Sequence, residues 1–505
     1  MPVFFTSRRF EIVPVLVVLA ALVMRLVVAA QTSLNPDEAL IFFIAQASDW
    51  YARSLQFHHP PLFYFLLHYI QWISDSELAL RLLPIIAGSL FPWVIWKWLA
   101  RQGFAHAALV ALLLLEFSPT LISLSAQVRG YTLALLLSSL ALLFLEAALE
   151  TRSLPRLVLA MLCLYLGILT EFSVAFVAGA LGVYAMLRLV KEHHLMSFSL
   201  VWVLSQLGAL GVYALLYKTS IATLVSDPDT VQHVTGYLRH SFPQPSANRL
   251  YFAVAGTAKQ FSYALSSMAV GVVGVALFMA GMIFLWRKED AMRYRILAVA
   301  LLSAFVFALT AALLQVHPYG RSRHTVVLAL FVITGLGFGC EWLFRLFPRI
   351  AIPTTIFLVA SCYFAATPDW QNMPKDAQKL NGMMQAMQQL QSRLSPDAII
   401  FTDRETMWML CYYLAKPRGC MTIAPNREFK EVQIGSHRTF SFNWGLGSPE
   451  QINADLRLLR LRRQLSPLQP IWVVDGGFEM LSAASWPSAE LLSNTLLLMP
   501  VSLPH

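Results

Sequence analysis

Two adjacent acids stand where the sequence predicts the start of a helix, in Asn35-Pro36-Asp37-Glu38. Asn is a favoured N-cap residue and Pro is favoured at the first helical position, so we expect a helix from here to about Tyr51. The helix dipole stabilises an ionised carboxylate in the first turn. Such a carboxylate can take a proton from an attacking hydroxyl. The alternative is that both acids only cap an amphipathic interfacial helix.

Two imidazoles, His58 and His59, come directly before a pair of prolines. The prolines favour an extended entry and then allow a helix to start. Neighbouring imidazoles can hold a phosphate or relay a proton, and with Asp37 and Glu38 they could bind a divalent metal. The alternative is a histidine pair that only forms hydrogen bonds.

Basic side chains recur where apolar runs begin or end. A guanidinium can grip phosphate through two parallel hydrogen bonds, so these residues could bind an anionic group. Arg25 and Arg81 lie in apolar runs, where a charge is costly unless it is paired, used or able to reach the interface. The other candidates are Arg129 and Tyr131 in Arg129-Gly130-Tyr131, and His317, Arg321, Arg323 and His324 in one short loop.

The composition shows what kind of chain must position these residues. Only 13% of the 505 residues are charged and 57% are hydrophobic, whereas a soluble protein carries about 25% charged residues. The mean hydropathy is +0.60. These values exclude a soluble enzyme and a disordered protein, and they make lipid the solvent for most of the chain.

We therefore expect an α-helical polytopic membrane protein with about eleven transmembrane helices. The pair 157–170 and 172–189 is short and could form one bent hairpin. The predicted spans are 11–30, 79–99, 104–120, 130–149, 157–170, 172–189, 197–217, 265–286, 296–314, 324–344 and 351–366.

The distribution of charge predicts the orientation. Residues 1–366 hold 24 of the 37 Lys+Arg and 16 of the 28 Asp+Glu, and on one side every short loop carries a basic pair. This positive-inside pattern places the N-terminus in the cytoplasm and two long loops, 31–77 and 218–264, outside. The net charge of +9 is then explained by the topology and by attraction to anionic lipids. We therefore expect membrane lipids as partners and no nucleic acid.

The tail, residues 367–505, has the composition of a small soluble domain, and the odd number of spans places it outside. We expect a small α/β domain with helices at 376–394 and 404–415, strands at 398–401 and 471–474, and a loop at 436–449. Cys411 and Cys420 could form a disulfide there or remain two free thiols. The glycines at 335, 337 and 339 follow no strand, so we expect them to pack helices and not to bind a nucleotide.

Five segments in order resemble a known superfamily. They are Asp37-Glu38, His59-Pro60-Pro61-Leu62, Ala79-Leu80-Arg81-Leu82-Leu83-Pro84, Arg129-Gly130-Tyr131 and Leu169-Thr170-Glu171. Over about residues 10–345 the chain resembles the multi-spanning GT-C glycosyltransferases, and in particular the protein O-mannosyltransferases and the lipid A aminoarabinose transferases. Residues 1–366 would form the transmembrane transferase domain.

The resemblance implies that a polyprenyl-phosphate sugar is the donor and that a glycan, lipid or protein is the acceptor. Transfer would invert the sugar carbon on the outer face of the cytoplasmic membrane. Asp37 would be the general base, with Glu38 as the neighbouring acid. The donor phosphate would be bound by Arg81, Arg129, His317, Arg321 and Arg323, and further site residues would be His58, His59, Tyr131 and Glu171.

The chain departs from the family pattern at two places. His58-His59 stands where aminoarabinose transferases commonly have Glu-Lys, and Glu171 stands where many relatives have a lysine. The pattern identifies no cofactor, and a divalent metal at Asp37, Glu38, His58 and His59 stays open.

Two other function classes remain as alternatives. An O-antigen-ligase-like or polymerase-like enzyme also uses outer-loop Arg and His, but it keeps its large loop late in the chain and lacks the early Asp-Glu. A transporter or flippase for lipid-linked sugars would carry charges within its spans along a path. Only Arg25, Glu116, Glu146 and Glu171 come close to that description.

Overall fold

A computed structural model gives the arrangement of the chain. It describes residues 8–57, 59–191, 196–222, 238–244, 248–288, 291–364, 379–415, 420–425, 430–441, 449–463, 470–476, 489–493 and 496–501. The chain divides into two compact units. The helical unit comprises Met1–Val28, Asp49–Leu66 and Arg81–Met373, and the α/β unit comprises Ala29–Ser48, Leu67–Leu80 and Pro374–His505.

Helices dominate the described residues up to 364, because long Leu, Ala, Val and Phe runs satisfy their backbone hydrogen bonds internally. In chain order they are α1 (Arg8–Gln31), α2 (Pro36–Gln46), α3 (Trp50–Gln56), α4 (Leu62–Ile73), α5 (Glu77–Arg101), α6 (Ala105–Phe117), α7 (Pro119–Ser125), α8 (Tyr131–Thr151), α9 (Leu154–Ile168), α10 (Val174–Lys191), α11 (Met196–Leu216), α12 (Arg249–Ala264), α13 (Met268–Arg287), α14 (Ala291–Leu313), α15 (Leu328–Leu346) and α16 (Ala351–Phe364).

The predicted polytopic helical fold is confirmed. Within the described residues eight helical stretches are long and apolar enough to cross a membrane, and α6 with α7 adds a ninth if this pair, bent by 57°, is one span. The break falls at Ser118-Pro119, where proline starts α7 and cannot continue α6.

All eleven predicted spans fall on helices, but besides the bent pair of α6 and α7 two of these helices are short. Helix α9, in place of span 157–170, has 15 residues, and α16, in place of span 351–366, has 14. At 1.5 Å per residue, about 20 residues are needed to cross the hydrocarbon. Length and composition therefore support eight or nine full spans among the described residues, in place of eleven.

Two pairs of opposite charges are buried among the helices. Arg25 Nη1 lies 2.8 Å from Glu116 Oε2, and both side chains are fully buried. Arg25 Nε also donates a hydrogen bond to Ser125 Oγ. In the same way Arg188 Nη1 lies 3.1 Å from Glu146 Oε1, with both side chains buried. Pairing offsets part of the cost of placing a charge in the membrane, so Arg25 holds α1 against α6.

The α/β unit contains the predicted small α/β domain. Its strands are β1 (Ile399–Thr402), β2 (Cys420–Pro425), β3 (Lys430–Ile434), β4 (His437–Ser441), β5 (Ile471–Asp475), β6 (Glu490–Leu492) and β7 (Leu496–Val501). The sheet order is β2-β3-β4-β1-β5-β7-β6. Strand β1 is parallel to both β4 and β5, whereas the other pairs are antiparallel.

Three helices cover this sheet: α17 (Leu380–Arg393), α18 (Arg404–Ala415) and α19 (Pro449–Arg463). Alternate strand residues face opposite sides, so Ile400 packs with α17 and α18 while Ile399 packs with α19. The predicted loop at 436–449 was wrong for 437–441, which form β4. Of the two alternatives for Cys411 and Cys420, the structure shows the disulfide.

Candidate active site

The acids predicted as catalytic differ in their surroundings. Asn35 is the N-cap of α2: its side chain accepts a hydrogen bond from the Glu38 amide at 3.0 Å, and Glu38 Oε2 accepts one from the Asn35 amide at 2.9 Å. This capping box buries Glu38, which is 1% exposed, whereas Asp37 is half-buried. The capping alternative therefore holds for Glu38. The helix ends at Gln46 and not near Tyr51, where α3 is already under way.

Three of the predicted motifs meet in the helical unit. The Leu62 amide donates a hydrogen bond to the Leu169 carbonyl at 2.8 Å, which joins the segment after the two prolines to Leu169-Thr170-Glu171. Gly130 lies against Thr170 so closely that a Cβ there would be 2.9 Å from Thr170 Cγ2. Glycine thus permits the close approach of the Arg129 segment to the Glu171 segment.

Side chains of these segments and of the loop 317–324 form a charged cluster, which we call the Arg/His cluster. Arg129 and Arg323 both interact electrostatically with the Glu171 carboxylate. His324 is within electrostatic range of Arg129, Arg323, His317 and His59. Its members are His59, Arg129, Glu171, His317, Arg323 and His324.

Burial sets the charge of the titratable groups in the cluster. Desolvation raises the pKa of Glu171 to about 7, although Arg129, Arg323 and two backbone amides favour the ionised form. Burial lowers the pKa of His317 to about 4, and burial together with the nearby arginines lowers the pKa of His324 well below its usual value. Both imidazoles are therefore neutral near pH 7 and can each donate one hydrogen bond.

Helix α12 holds the loop that carries Arg323. The side-chain amide of Gln260, which is fully buried, donates to the Thr325 carbonyl at 3.1 Å, and the Thr325 hydroxyl donates back to Gln260 Oε1 at 2.8 Å. The hydroxyls of Thr257 and Tyr319 are 2.7 Å apart. The sequence interpretation missed these residues because it assigned 218–264 to a loop. The apolar and polar periodicity of 249–264 was the available signal for a helix.

The remaining predicted residues lie as follows. Arg81 is fully buried near the start of α5, and Tyr131 is buried as the first residue of α8. Arg321 is exposed, in contrast to the neighbouring Arg323, which is half-buried. His58 lies outside the described residues. The ring of His59 stacks on that of Tyr64, with centroids 5.7 Å apart.

The side chains around Asp37 and His59 show whether a divalent metal could be bound there. Among the residues that the structure describes, no three His, Cys, Asp or Glu side chains are grouped so as to hold a metal ion. Of the proposed ligands, Glu38 uses one carboxylate oxygen in the capping box, and His58 is not described. The described side chains thus offer no complete ligand set.

Comparison with known proteins gives a family match over part of the chain. The sequence model described as dolichyl-phosphate-mannose-protein mannosyltransferase matches residues 58–217. No curated protein sequence matches the chain.

Solved structures match over nearly the whole chain. ArnT from Cupriavidus metallidurans in the apo state has a TM-score of 0.54 and 16% identity, covering 99% of this chain and 100% of that one. The chain resembles the GT-C membrane glycosyltransferases. ArnT from the same organism bound to undecaprenyl phosphate matches this chain with a TM-score of 0.53 and 14% identity. The match covers 96% of this chain and 97% of that one. Residues 58–217 contain four of the five motifs from which the GT-C resemblance was inferred, so that prediction is confirmed.

Proposed function

We propose that this protein is an inverting glycosyltransferase. It transfers a hexosyl or pentosyl group from a polyprenyl-phosphate donor to a glycan, lipid or protein acceptor on the outer face of the cytoplasmic membrane. The observation that carries the proposal is the Arg/His cluster, in which Arg129, Glu171 and His59 from the predicted motifs lie within electrostatic range of residues in the 317–324 loop. The ArnT structure that contains undecaprenyl phosphate supports a polyprenyl-phosphate donor.

The Arg/His cluster binds the donor phosphate and stabilises the leaving group. Charge builds up on the phosphate oxygen as the bond from the sugar carbon to oxygen breaks, and preorganised cations and hydrogen-bond donors act on this developing charge. Arg129 is 7% exposed and Arg323 is half-buried. A guanidinium that has little water around it interacts strongly with phosphate. The neutral imidazoles of His317 and His324 add hydrogen bonds without adding charge.

Asp37 is the general base of the proposed reaction. Its neighbour Glu38 is buried in the capping box, whereas Asp37 is the half-buried acid of the pair and the one that solvent can reach. The acceptor oxygen forms a bond to the sugar carbon while its proton passes to the Asp37 carboxylate. The bond from the sugar carbon to the phosphate oxygen breaks, and polyprenyl phosphate leaves with the electron pair. One displacement of this kind inverts the configuration at the carbon.

The orientation also belongs to the proposal. Basic residues in the short loops of one side support an N-terminus in the cytoplasm and an α/β unit outside. The transporter alternative is less well supported, because Arg25 and Glu146 each have a buried partner of opposite charge that holds two helices together. Such pairs account for these intramembrane charges without a transport path.

The test uses undecaprenyl phosphate as a ligand, since it requires no knowledge of the sugar. Purified full-length protein in lipid nanodiscs is titrated with undecaprenyl phosphate, with undecaprenol as the control lipid that lacks the phosphate. We expect saturable binding of the phosphate lipid alone, and a loss of affinity of about tenfold or more in Arg129→Gln. Equal binding of the two lipids, or unchanged affinity in Arg129→Gln, would contradict phosphate recognition by the cluster.

A further inference from the structure

We propose that Tyr413, in the C-terminal part of the α/β unit, is a positioning residue for the helix that carries Asp37. The inference rests on the proposed function, since it gives Asp37 a catalytic role, but it assigns a new role to a distant segment of the chain. The Tyr413 hydroxyl contacts the Leu34 amide and the Glu77 carboxylate. It acts through the backbone directly before α2.

One hydroxyl joins both ends of the first long loop. The Leu34 amide donates a hydrogen bond to Tyr413 Oη at 2.7 Å, and Tyr413 Oη donates one to Glu77 Oε1 at 2.9 Å. Leu34 directly precedes the N-cap Asn35, and Glu77 is the first residue of α5. A single side chain therefore fixes the backbone before the capping box and the point where the loop returns to the membrane helices.

The helix that carries Tyr413 makes further contacts within the α/β unit. Tyr413 belongs to α18, and the disulfide from Cys411 to Cys420 ties the same helix to β2. The rings of Trp408 and Tyr412 on α18 pack against Phe43 and Phe42 on α2, with centroids 5.7 and 5.1 Å apart. Aromatic packing holds the two helices together, whereas the Tyr413 hydroxyl sets the position of the N-terminus of α2.

The capping box gives this contact its consequence for Asp37. Asn35 and Glu38 fix each other, so the box and Asp37 between them move as one piece. The hydrogen bond from the Leu34 amide links this piece to α18, and Leu34 is itself fully buried. Without that bond the first turn of α2 keeps its cap but is no longer held in position. A shift of about 1 Å in a catalytic group can cost about 100-fold in rate.

The neighbouring Tyr412 supplies a matched control. It lies on the same helix and donates its hydroxyl to the Asp75 carbonyl at 2.9 Å, so it also loses one hydrogen bond to the loop when changed to Phe. That contact lies near the end of the loop, far along the chain from the capping box. Tyr413→Phe and Tyr412→Phe thus remove the same atom from adjacent residues, and only the first releases the Leu34 amide.

Two measurements on the full chain in nanodiscs test the proposal. Hydrogen–deuterium exchange should show at least tenfold faster exchange for the amides at 34, 35, 37 and 38 in Tyr413→Phe and wild-type exchange there in Tyr412→Phe. Turnover is followed with the member of a panel of polyprenyl-phosphate hexoses and pentoses that the wild type consumes. For Tyr413→Phe we expect kcat to fall about tenfold with the donor KM within twofold of wild type, because the phosphate contacts are untouched.

The possible results separate the inference from the proposed function. Unchanged exchange at 34–38, or an unchanged kcat, in Tyr413→Phe overturns the positioning role. A fall in kcat of the same size in Tyr412→Phe also overturns it, because general loosening of α18 would then be sufficient. Full activity of Asp37→Asn would instead refute the role of Asp37 itself, and the exchange measurement would still report whether Tyr413 holds α2.

Discussion

Replacing Glu171 by Gln should remove a pH dependence from donor binding. The Glu171 carboxyl faces Arg129 and Arg323, and its pKa of about 7 means that it loses its proton within the physiological range. In the proposed donor site, the ionised carboxylate competes with the donor phosphate for the same guanidinium groups. When Glu171 is protonated, both arginines are available to the phosphate.

The sign and the size follow from the charges. Glu171 is mostly protonated at pH 6 and mostly ionised at pH 8, so the donor KM should rise as the pH rises. If the phosphate lies about 7 Å from the carboxylate, the repulsion lies between about 0.6 kcal/mol in water and about 2.4 kcal/mol at an effective dielectric constant of 20. We take about 1 kcal/mol, which corresponds to about a fivefold change in KM. Glu171→Gln should bind donor with the low KM at both pH values.

The assay measures the donor KM at pH 6 and pH 8 for the wild type and for Glu171→Gln. A sugar ester of polyprenyl phosphate is a phosphodiester and does not titrate in this range. His317 and His324, with pKa values of about 4 and well below 6.5, stay neutral throughout. His59 also lies in the cluster and is present in both proteins. An equal pH dependence in the two proteins, or a wild-type KM that falls as the pH rises, would refute the reasoning.

Three further predictions concern donor binding, helix packing and the disulfide. Arg323→Gln should raise the donor KM about tenfold in the same kinetic assay, whereas Arg321→Gln, at an exposed position, should raise it only about twofold. Equal effects of the two substitutions would contradict binding of the phosphate by Arg323. Gly130→Ala should lower turnover about tenfold, because its Cβ would meet Thr170 at 2.9 Å, and wild-type turnover would contradict the close packing of the two motifs. Alkylation of unreduced, denatured protein should modify three of the five cysteines by mass spectrometry; five modified cysteines would disprove the disulfide.

Local sequence signals predicted the helical membrane fold, because apolar runs of about 20 residues have few alternatives in lipid. They also predicted the N-cap at Asn35 and the first helical position at Pro36. The different roles of the two acids were available as well, since Asn35 and Glu38 have the spacing of a capping box. That spacing by itself predicts that Glu38 takes part in the cap, whereas it says nothing about the proposed role of Asp37.

Contacts between distant segments could not be read from the sequence. The bond between Leu34 and Tyr413 joins residues 379 positions apart, and no local pattern marks either of them. The same holds for Gln260 and Thr325, whose paired hydrogen bonds depend on how α12 packs. The short helices α9 and α16 were predicted as full spans, because hydropathy alone does not show where a helix ends.

The most direct test of the proposed reaction compares the wild type with Asp37→Asn in sugar transfer and in binding of undecaprenyl phosphate. Asn keeps the size of the side chain but cannot accept the acceptor's proton as a carboxylate does. We predict that Asp37→Asn binds the lipid within twofold of wild type and loses transfer by at least about 100-fold. Transfer at the wild-type rate in a folded Asp37→Asn protein would contradict the account.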